Sequence, residues 1–230
     1  MTYLLGIDVS TTGAKALLID GEGKVVASQT TEYPLSTPRP LWSEQNPADW
    51  WQGACESIQA ALSEAGLSGE AVSAVGLTGQ MHGLVMLDKA DQVLRPAILW
   101  NDQRTGAQCI EITEKVGGLD RLLQLTGNQV LPGFTAPKIV WVRENEPGVY
   151  ERATHILLPK DYVRFCLTGE YATEVSDASG MSLLDVANRR WSKEMLQALD
   201  IPEPWLPICT ESDQVSGRIS ASAAQATGLK

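Results

Sequence analysis

The sequence contains few of the residues on which several classes of site depend. Only two of its 230 residues are histidines, and its four cysteines lie far apart with no Cys-x-x-Cys pair. This composition excludes a histidine-rich metal cluster and argues against a zinc or disulfide framework. Scattered cysteines are typical of free thiols in a reducing compartment, and no signal peptide or membrane-length apolar run is present. We therefore predict a cytoplasmic protein that does not act at a membrane.

Basic residues are also scarce. The chain has 18 Lys and Arg against 28 Asp and Glu, giving a net charge of −10 and a pI near 4.7. This balance argues against nucleic acid as a partner, because phosphate backbones are bound by basic patches. It is compatible with a nucleotide, whose phosphates are bound locally by magnesium and backbone amides.

Apolar runs separated by turn residues indicate three antiparallel strands at residues 3–9, 14–20 and 25–31. Asn46 as N-cap, Pro47 and Gly66 then bound a predicted helix whose apolar residues recur at helical spacing. Further strands are predicted at residues 72–77, 84–87, 97–100 and 156–158, and further helices at 102–116, 135–144, 159–167 and 192–199. We expect an α/β domain with a mixed sheet flanked by helices. This element order is similar to that of the ribonuclease H-like fold of actin- and hexokinase-type ATPases.

The first candidate site follows the first strand. Asp8 stands at the strand end, Thr11 and Thr12 supply hydroxyls in a tight turn, and Lys15 adds a cation. A lone aspartate at such a position more often accepts hydrogen bonds from turn amides. Here the hydroxyls and Gly13 favour a carboxylate that holds magnesium while the turn binds phosphate, as phosphoryl transfer requires.

The second candidate site is the turn at residues 79–83, with the sequence Gly-Gln-Met-His-Gly. A histidine in a turn is more often structural than catalytic. Two flanking glycines, however, allow the turn to present Met81 and His82 into a cleft at the end of a sheet. His82 can donate to or accept from a sugar hydroxyl, depending on its tautomer.

Later loops carry weaker candidates. Trp100 could form the apolar wall of a polyol site, while Asp102 is more simply explained as a helix cap. The loop that contains Gly133 leads into a predicted helix that Thr135 caps, and nothing in its chemistry demands a ligand. Asp177 is the carboxylate of the later loops that most merits testing.

Taken together, these segments resemble the FGGY carbohydrate kinase family, most closely its members that phosphorylate xylulose. The resemblance covers essentially the whole chain, and Gly-Gln-Met-His-Gly is its most specific part. The matching segments are residues 6–13, 40–45, 79–83, 97–102, 125–128, 132–138, 158–162 and 176–180.

The resemblance implies ATP- and Mg²⁺-dependent phosphorylation of D-xylulose to D-xylulose 5-phosphate. It implies that Asp8 is a catalytic residue that serves the metal, and that the phosphates of ATP lie by Thr11, Thr12 and Lys15. The sugar would be bound by Gln80, Met81, His82, Trp100 and Gly133. The resemblance is also compatible with a homodimer of the full-length protein.

One departure limits these expectations. The family's C-terminal domain, and the aspartate of its Gly-Gly-Asp motif that acts as general base, are absent from this sequence. We therefore expect residues 1–230 to be the N-terminal, sugar-binding domain and to be inactive alone. Three alternatives stay open: an FGGY kinase for another ketose or polyol, a non-catalytic ATPase-like module, and a ribonuclease H-like nuclease, which the negative charge disfavours.

Overall fold

A four-stranded mixed sheet forms the first layer of the protein, whose computed structural model describes residues 2–230. Strands β1 (Tyr3–Val9), β2 (Gly13–Asp20) and β3 (Val25–Glu32) form the predicted antiparallel meander. After the short strand β4 (Glu44–Gln45) and a long helix, β5 (Val72–Gly79) pairs in parallel with β1. The strand order is β3-β2-β1-β5, and the predicted mixed sheet is confirmed.

Helix α1 (Pro47–Ala65) covers one face of this sheet and has the predicted boundaries. The Asn46 side chain accepts a hydrogen bond from the Ala48 N–H (3.2 Å), and Gly66 ends the helix in the left-handed conformation (φ 64°). Its buried face carries the apolar residues expected from their spacing, which are Trp50, Ala54, Ile58, Ala61 and Leu62. No helix within residues 2–230 combines the length and apolar character that crossing a membrane requires.

Shorter elements follow α1 and alternate along the rest of the chain. In chain order after β5 they are β6 (Val85–Leu87), β7 (Ala97–Ile98), α2 (Gly106–Lys115), α3 (Leu119–Thr126), α4 (Thr135–Asn145), α5 (Pro147–Tyr150), β8 (His155–Leu157), α6 (Pro159–Thr168), β9 (Ala172–Glu174), α7 (Val175–Ala178), β10 (Leu184–Asp185), β11 (Arg190–Trp191), α8 (Lys193–Leu199), β12 (Ile208–Thr210) and α9 (Ala221–Thr227). The cysteines are all free thiols, as predicted.

Strand β6 and the residue before it separate two apolar cores. Val85 and Leu87 pack into the core shared by the sheet and α1, whereas Leu84 and Met86 pack into a second core among α2, α3 and α4. Successive side chains of a strand point to opposite faces, so a strand between two cores is apolar at every position. This explains the uninterrupted apolar run at residues 84–87.

Two predicted helix starts were wrong, and both residues form long-range hydrogen bonds instead. α2 begins at Gly106 rather than Asp102, because the buried Asp102 carboxylate accepts from the backbone N–H of Ser43 (2.7 Å) and of Arg104 (2.9 Å). Phe134, not Thr135, occupies the cap position of α4, and the Thr135 hydroxyl donates to the carbonyl of His82 (3.1 Å).

Candidate active site

The C-terminal ends of the parallel strands β1 and β5 meet at one edge of the sheet. The backbone N–H of Gln80 donates to the carbonyl of Val9 (2.8 Å). The first turn (residues 10–13) and the second turn (residues 79–83) therefore lie side by side. Ligands of α/β proteins commonly bind at the carboxyl ends of parallel strands.

Asp8 occupies this edge at the end of β1. Its carboxylate is half-buried, and among residues 2–230 no hydrogen bond or ion pair engages it. Lys15 is its direct partner across the β1–β2 hairpin, so the two side chains share one face of the sheet. Burial, and then the negative charge of Asp8, raise the pKa of Tyr33, which lies close by. The Asp8 carboxylate is therefore available to a ligand and lies across the strand pair from the cation Lys15.

The donors near Asp8 fit magnesium bound together with phosphate. The described residues contain no group of three His, Cys, Asp or Glu side chains able to enclose a metal ion. A cation here would take one protein carboxylate and complete its shell with phosphate oxygens and water. Mg²⁺ commonly binds in this way, through one or two carboxylates together with the phosphates of its substrate.

The first turn is held by its own backbone and by Ser10. The Ser10 hydroxyl donates to the carbonyl of Gly13 (2.9 Å) and accepts from the N–H of Thr12 (3.3 Å). A Cβ at Gly13 would lie 2.8 Å from the carbonyl oxygen of Thr31, so glycine is required there. The structure places Thr12 at the exposed tip of the turn, where its hydroxyl is accessible to a phosphate.

Trp100 joins the first turn to the loop before α4. Its indole N–H donates to the hydroxyl of Thr11 (2.9 Å), and the residue is 47% exposed. The backbone of Gly133 lies so near that a Cβ there would be 2.7 Å from the carbonyl oxygen of Trp100. The structure thus brings these three predicted residues together, with an aromatic face open to a ligand. Such a face suits packing against the C–H groups of a sugar.

Close packing fixes the second turn. A Cβ on Gly79 would lie 2.7 Å from the Val9 carbonyl oxygen, and one on Gly83 would lie 2.5 Å from the ring of Pro159. Between them His82 adopts a positive φ of 66°, which is uncommon for a residue other than glycine. Met81 is half-buried beside it. The two glycines therefore permit the close approach of the Val9 backbone and the Pro159 ring, in addition to the presentation of Met81 and His82 that the sequence predicted.

The His82 ring has a defined orientation and tautomer. It stacks on Phe134, with centroids 4.6 Å apart, and its Nδ1 lies 2.8 Å from the carbonyl oxygen of Gly180. Because a carbonyl only accepts, Nδ1 carries the proton. Burial lowers the pKa of His82 below its usual value, so the ring is neutral at pH 7. Nε2 is then left as an acceptor for a ligand hydroxyl.

Replacing Gly180 with alanine is expected to displace the His82 ring, since the new Cβ would overlap it. We expect a loss of about 1–3 kcal/mol in the free energy of unfolding, as for other overpacked sites. Urea denaturation measures it. Gly106→Ala is the matched control, because a Cβ at Gly106 meets open space. Equal stability of the two variants would contradict the close packing of Gly180 against the His82 ring.

Gln80 lies behind the two turns rather than at their surface. Its side-chain amide N–H donates to Gln45 Oε1 (3.1 Å) and more weakly to the carbonyl of Ser10 (3.4 Å). Gln45 in turn donates to the carbonyl of Thr11 (2.7 Å). Gln80 is buried, and its Oε1 has no hydrogen-bond partner among the described residues. These amides hold the first turn in place against the second.

A buried ionic cluster lies beside the second turn. The ammonium of Lys160 is 3.2 Å from Asp161, 3.1 Å from Glu174 and 3.0 Å from Asp177. Burial raises the pKa of Asp161 to about 6 and also raises the pKa of Asp177. Burial lowers the pKa of His82 and the negative charge of Asp177 partly opposes this effect, but the Asp177 carboxylate is already paired with Lys160. It is therefore not a free base.

Some residues of this site were missed by sequence analysis. Gln45 and Phe134 lie within segments that the sequence analysis singled out, but their roles depend on contacts with distant residues. Lys138 is completely buried beneath both ligand-facing loops, where a lysine is unusual. The available signals were its place in the segment 132–138 and the apolar residues that follow it in α4.

Comparison with known proteins gives a consistent result. The profile of the FGGY family of carbohydrate kinases, N-terminal domain, matches residues 3–230. The chain is 46% identical to a xylulose kinase of Klebsiella pneumoniae and 43% identical to one of Escherichia coli, in each case over 98% of this chain and 46% of the relative. A crystal structure of xylulose kinase from Rhodospirillum rubrum superposes with a TM-score of 0.95 at 30% identity, covering 99% of this chain and 46% of that chain.

The comparisons confirm the expected fold, the actin- and hexokinase-type fold of sugar kinases. The chain spans about half the length of the curated relatives that it matches. From the family profile of the N-terminal domain, which matches residues 3–230, and from these identities, the chain belongs to the FGGY family of carbohydrate kinases.

Proposed function

We propose that this chain is the sugar-binding domain of a kinase that transfers the γ-phosphate of ATP to the terminal hydroxyl of D-xylulose. The observation that carries the proposal is the arrangement of the two turns at one sheet edge. The second turn offers the acceptor Nε2 of His82, while the end of β1, directly before the first turn, offers the unpaired carboxylate of Asp8. The named function of the relatives supports D-xylulose as the substrate.

On the sugar side, His82 Nε2 accepts a hydrogen bond from a sugar hydroxyl. The exposed ring of Trp100 packs against the C–H face of the sugar, and Met81 and Gly133 line the remaining wall. Since Phe134 and Gly180 fix the imidazole, little conformational entropy is lost on binding. Gln80 acts indirectly, by holding the first turn.

On the phosphate side, Mg²⁺ would neutralise charge on the phosphates of ATP and align them for in-line attack. Asp8 would hold the cation. The Thr12 hydroxyl and the backbone N–H groups of the first turn would donate hydrogen bonds to phosphate oxygens. Lys15 lies on the same face of the sheet as Asp8. Thr11 is engaged by Trp100, so it would couple the phosphate turn to the sugar wall.

The general base is not evident among these residues. Asp177, the carboxylate beside His82, is paired with Lys160. We propose that residues 1–230 form the N-terminal domain, and that the base and the rest of the adenosine site lie in the part of the relatives that this chain does not match. The chain alone should then bind sugar without turning it over.

Replacing His82 with alanine is expected to weaken D-xylulose binding about tenfold, because a hydrogen bond worth about 1 kcal/mol and the ring's contacts are lost. Titration calorimetry of the chain with D-xylulose measures this change. His155, the only other histidine, stacks on Tyr171 and provides the control variant His155→Ala.

A panel of other ketoses, glycerol and gluconate tests the identity of the substrate. Tighter binding of another sugar would replace D-xylulose in the proposal while retaining the site. Nucleotide binding with no response to any sugar would instead support a non-catalytic module. An equal effect of His82→Ala and His155→Ala would contradict the role assigned to the second turn.

A further inference from the structure

Lys138 is a buried cation beneath the sugar side of the site, and the proposed function assigns it no role. Its side chain is completely buried in α4, and its ammonium donates to the backbone carbonyls of His82 (3.1 Å), Phe134 (3.0 Å) and Gly133. An ammonium has three N–H donors. The three donors are therefore matched to three acceptors.

The three acceptors belong to the two loops that would hold the sugar. His82 lies in the second turn, at a positive φ that its surroundings must maintain. Gly133 and Phe134 form the opposite wall, where Phe134 stacks on the His82 ring and Gly133 adjoins Trp100. The ammonium of Lys138 thus holds the second turn and residues 133–134 at a fixed separation.

We infer that Lys138 is a positioning residue of the sugar site: its protonated ammonium holds residues 82 and 133–134 together, and loss of its proton loosens them and weakens sugar binding. The inference rests on the proposed function only for the identity of the ligand. The coupling between Lys138 and the His82 turn stands on the contacts alone.

Several groups around Lys138 influence its charge. Burial lowers the pKa of Lys138 to about 7, partly opposed by the negative charge of Asp102, while Arg104 lowers it further. Cys109 faces it from α2, and burial raises the pKa of that thiol to about 11, so the thiol is uncharged near neutral pH. His82 is also neutral there, because burial lowers its pKa below the usual value.

Because the pKa of Lys138 is about 7, sugar affinity should change with pH near neutrality. A neutral amine has two N–H donors for three carbonyls, so one carbonyl loses its hydrogen bond from Lys138 on deprotonation, although the His82 carbonyl still accepts from Thr135. Losing a hydrogen bond to a buried carbonyl is unfavourable. Sugar affinity should therefore fall about tenfold, or by about 1.4 kcal/mol, as the pH rises through about 7.

The first test is an NMR pH titration of the two histidine rings in this chain. In the wild type, the His82 signals should show a second inflection near pH 7, above the titration of the ring itself, while His155 serves as an internal reference. Lys138→Met should remove that inflection. Lys115→Met, which removes an exposed lysine paired with Asp200, should retain it. If the His82 signals of Lys138→Met kept the second inflection, as those of Lys115→Met should, the inference would be overturned.

The second test is D-xylulose calorimetry across the same pH range. The wild type should lose affinity through neutral pH, and Lys138→Met should bind weakly at every pH, with the slope abolished. A parallel pH dependence in both proteins would also overturn the inference. Absence of D-xylulose binding by the wild type would count against the proposed function alone, because the histidine titration still decides the role of Lys138.

Discussion

Under the proposed function, replacing Asp8 with asparagine in a full-length kinase carrying this domain is expected to lower kcat/KM for D-xylulose about 10²–10³-fold. Charge stabilisation by a bound metal contributes several kcal/mol to phosphoryl transfer, and each 1.36 kcal/mol is tenfold in rate. Asparagine keeps the shape of the side chain but removes the charge that would hold Mg²⁺. Since Asp8 has no hydrogen bond or ion pair among the described residues, stability should change by less than about 0.5 kcal/mol.

The matched control is Asp20→Asn, at the far end of the same hairpin. Its Oδ1 accepts from the N–H groups of Glu22 (3.0 Å) and Lys24 (3.0 Å), and asparagine can accept the same bonds. Steady-state kinetics over a range of Mg²⁺ concentrations should show a raised Mg²⁺ requirement only for Asp8→Asn. D-Xylulose affinity of the chain should be unchanged in both. An unaltered kcat/KM in Asp8→Asn would exclude the metal role.

The elements that sequence analysis located correctly are those whose signals are local. Alternation and turn residues identified β1, β2 and β3, and an N-cap, a proline and a final glycine bounded α1. The amphipathic α3, only eight residues long, was overlooked, as were the two- and three-residue strands after residue 169. Such short elements exist because tertiary contacts hold them, and a local pattern carries little of that information.

The same distinction applies to the site. The positions of Asp8 and His82 at one edge of the sheet could be predicted because a strand end and flanking glycines mark them in the sequence, while their roles stay predictions. The role of Lys138 could not, since its acceptor at His82 is 56 residues away and a lysine inside a helix is ordinarily assigned to the surface. Asp102 was correctly suspected of a structural role, but its partner Ser43, 59 residues away, could not be foreseen.

Replacing Lys160 with methionine is expected to cost about 3–5 kcal/mol in the free energy of unfolding at pH 7. Removing one partner of a buried ionic cluster leaves the remaining charges uncompensated. Here Asp161, Glu174 and Asp177 would all lose their shared cation. Burial opposes the charge of Lys160, yet the three carboxylates hold its pKa above the usual value. Lys115→Met is the control and should cost less than about 1 kcal/mol, because its ion pair is exposed.

The pH dependence of this loss separates an ionic cause from lost packing. Burial already raises the pKa of Asp161 to about 6, so the folded state binds its proton more tightly than the unfolded chain does. A raised carboxyl pKa means that stability falls as the pH rises from about 4 to the folded value. Without Lys160 that pKa rises further, and the fall extends to higher pH. Urea unfolding of Lys160→Met should therefore show stability recovering as the pH is lowered from 7 toward 5. A deficit independent of pH would show that the lysine stem, rather than its charge, supports this part of the fold.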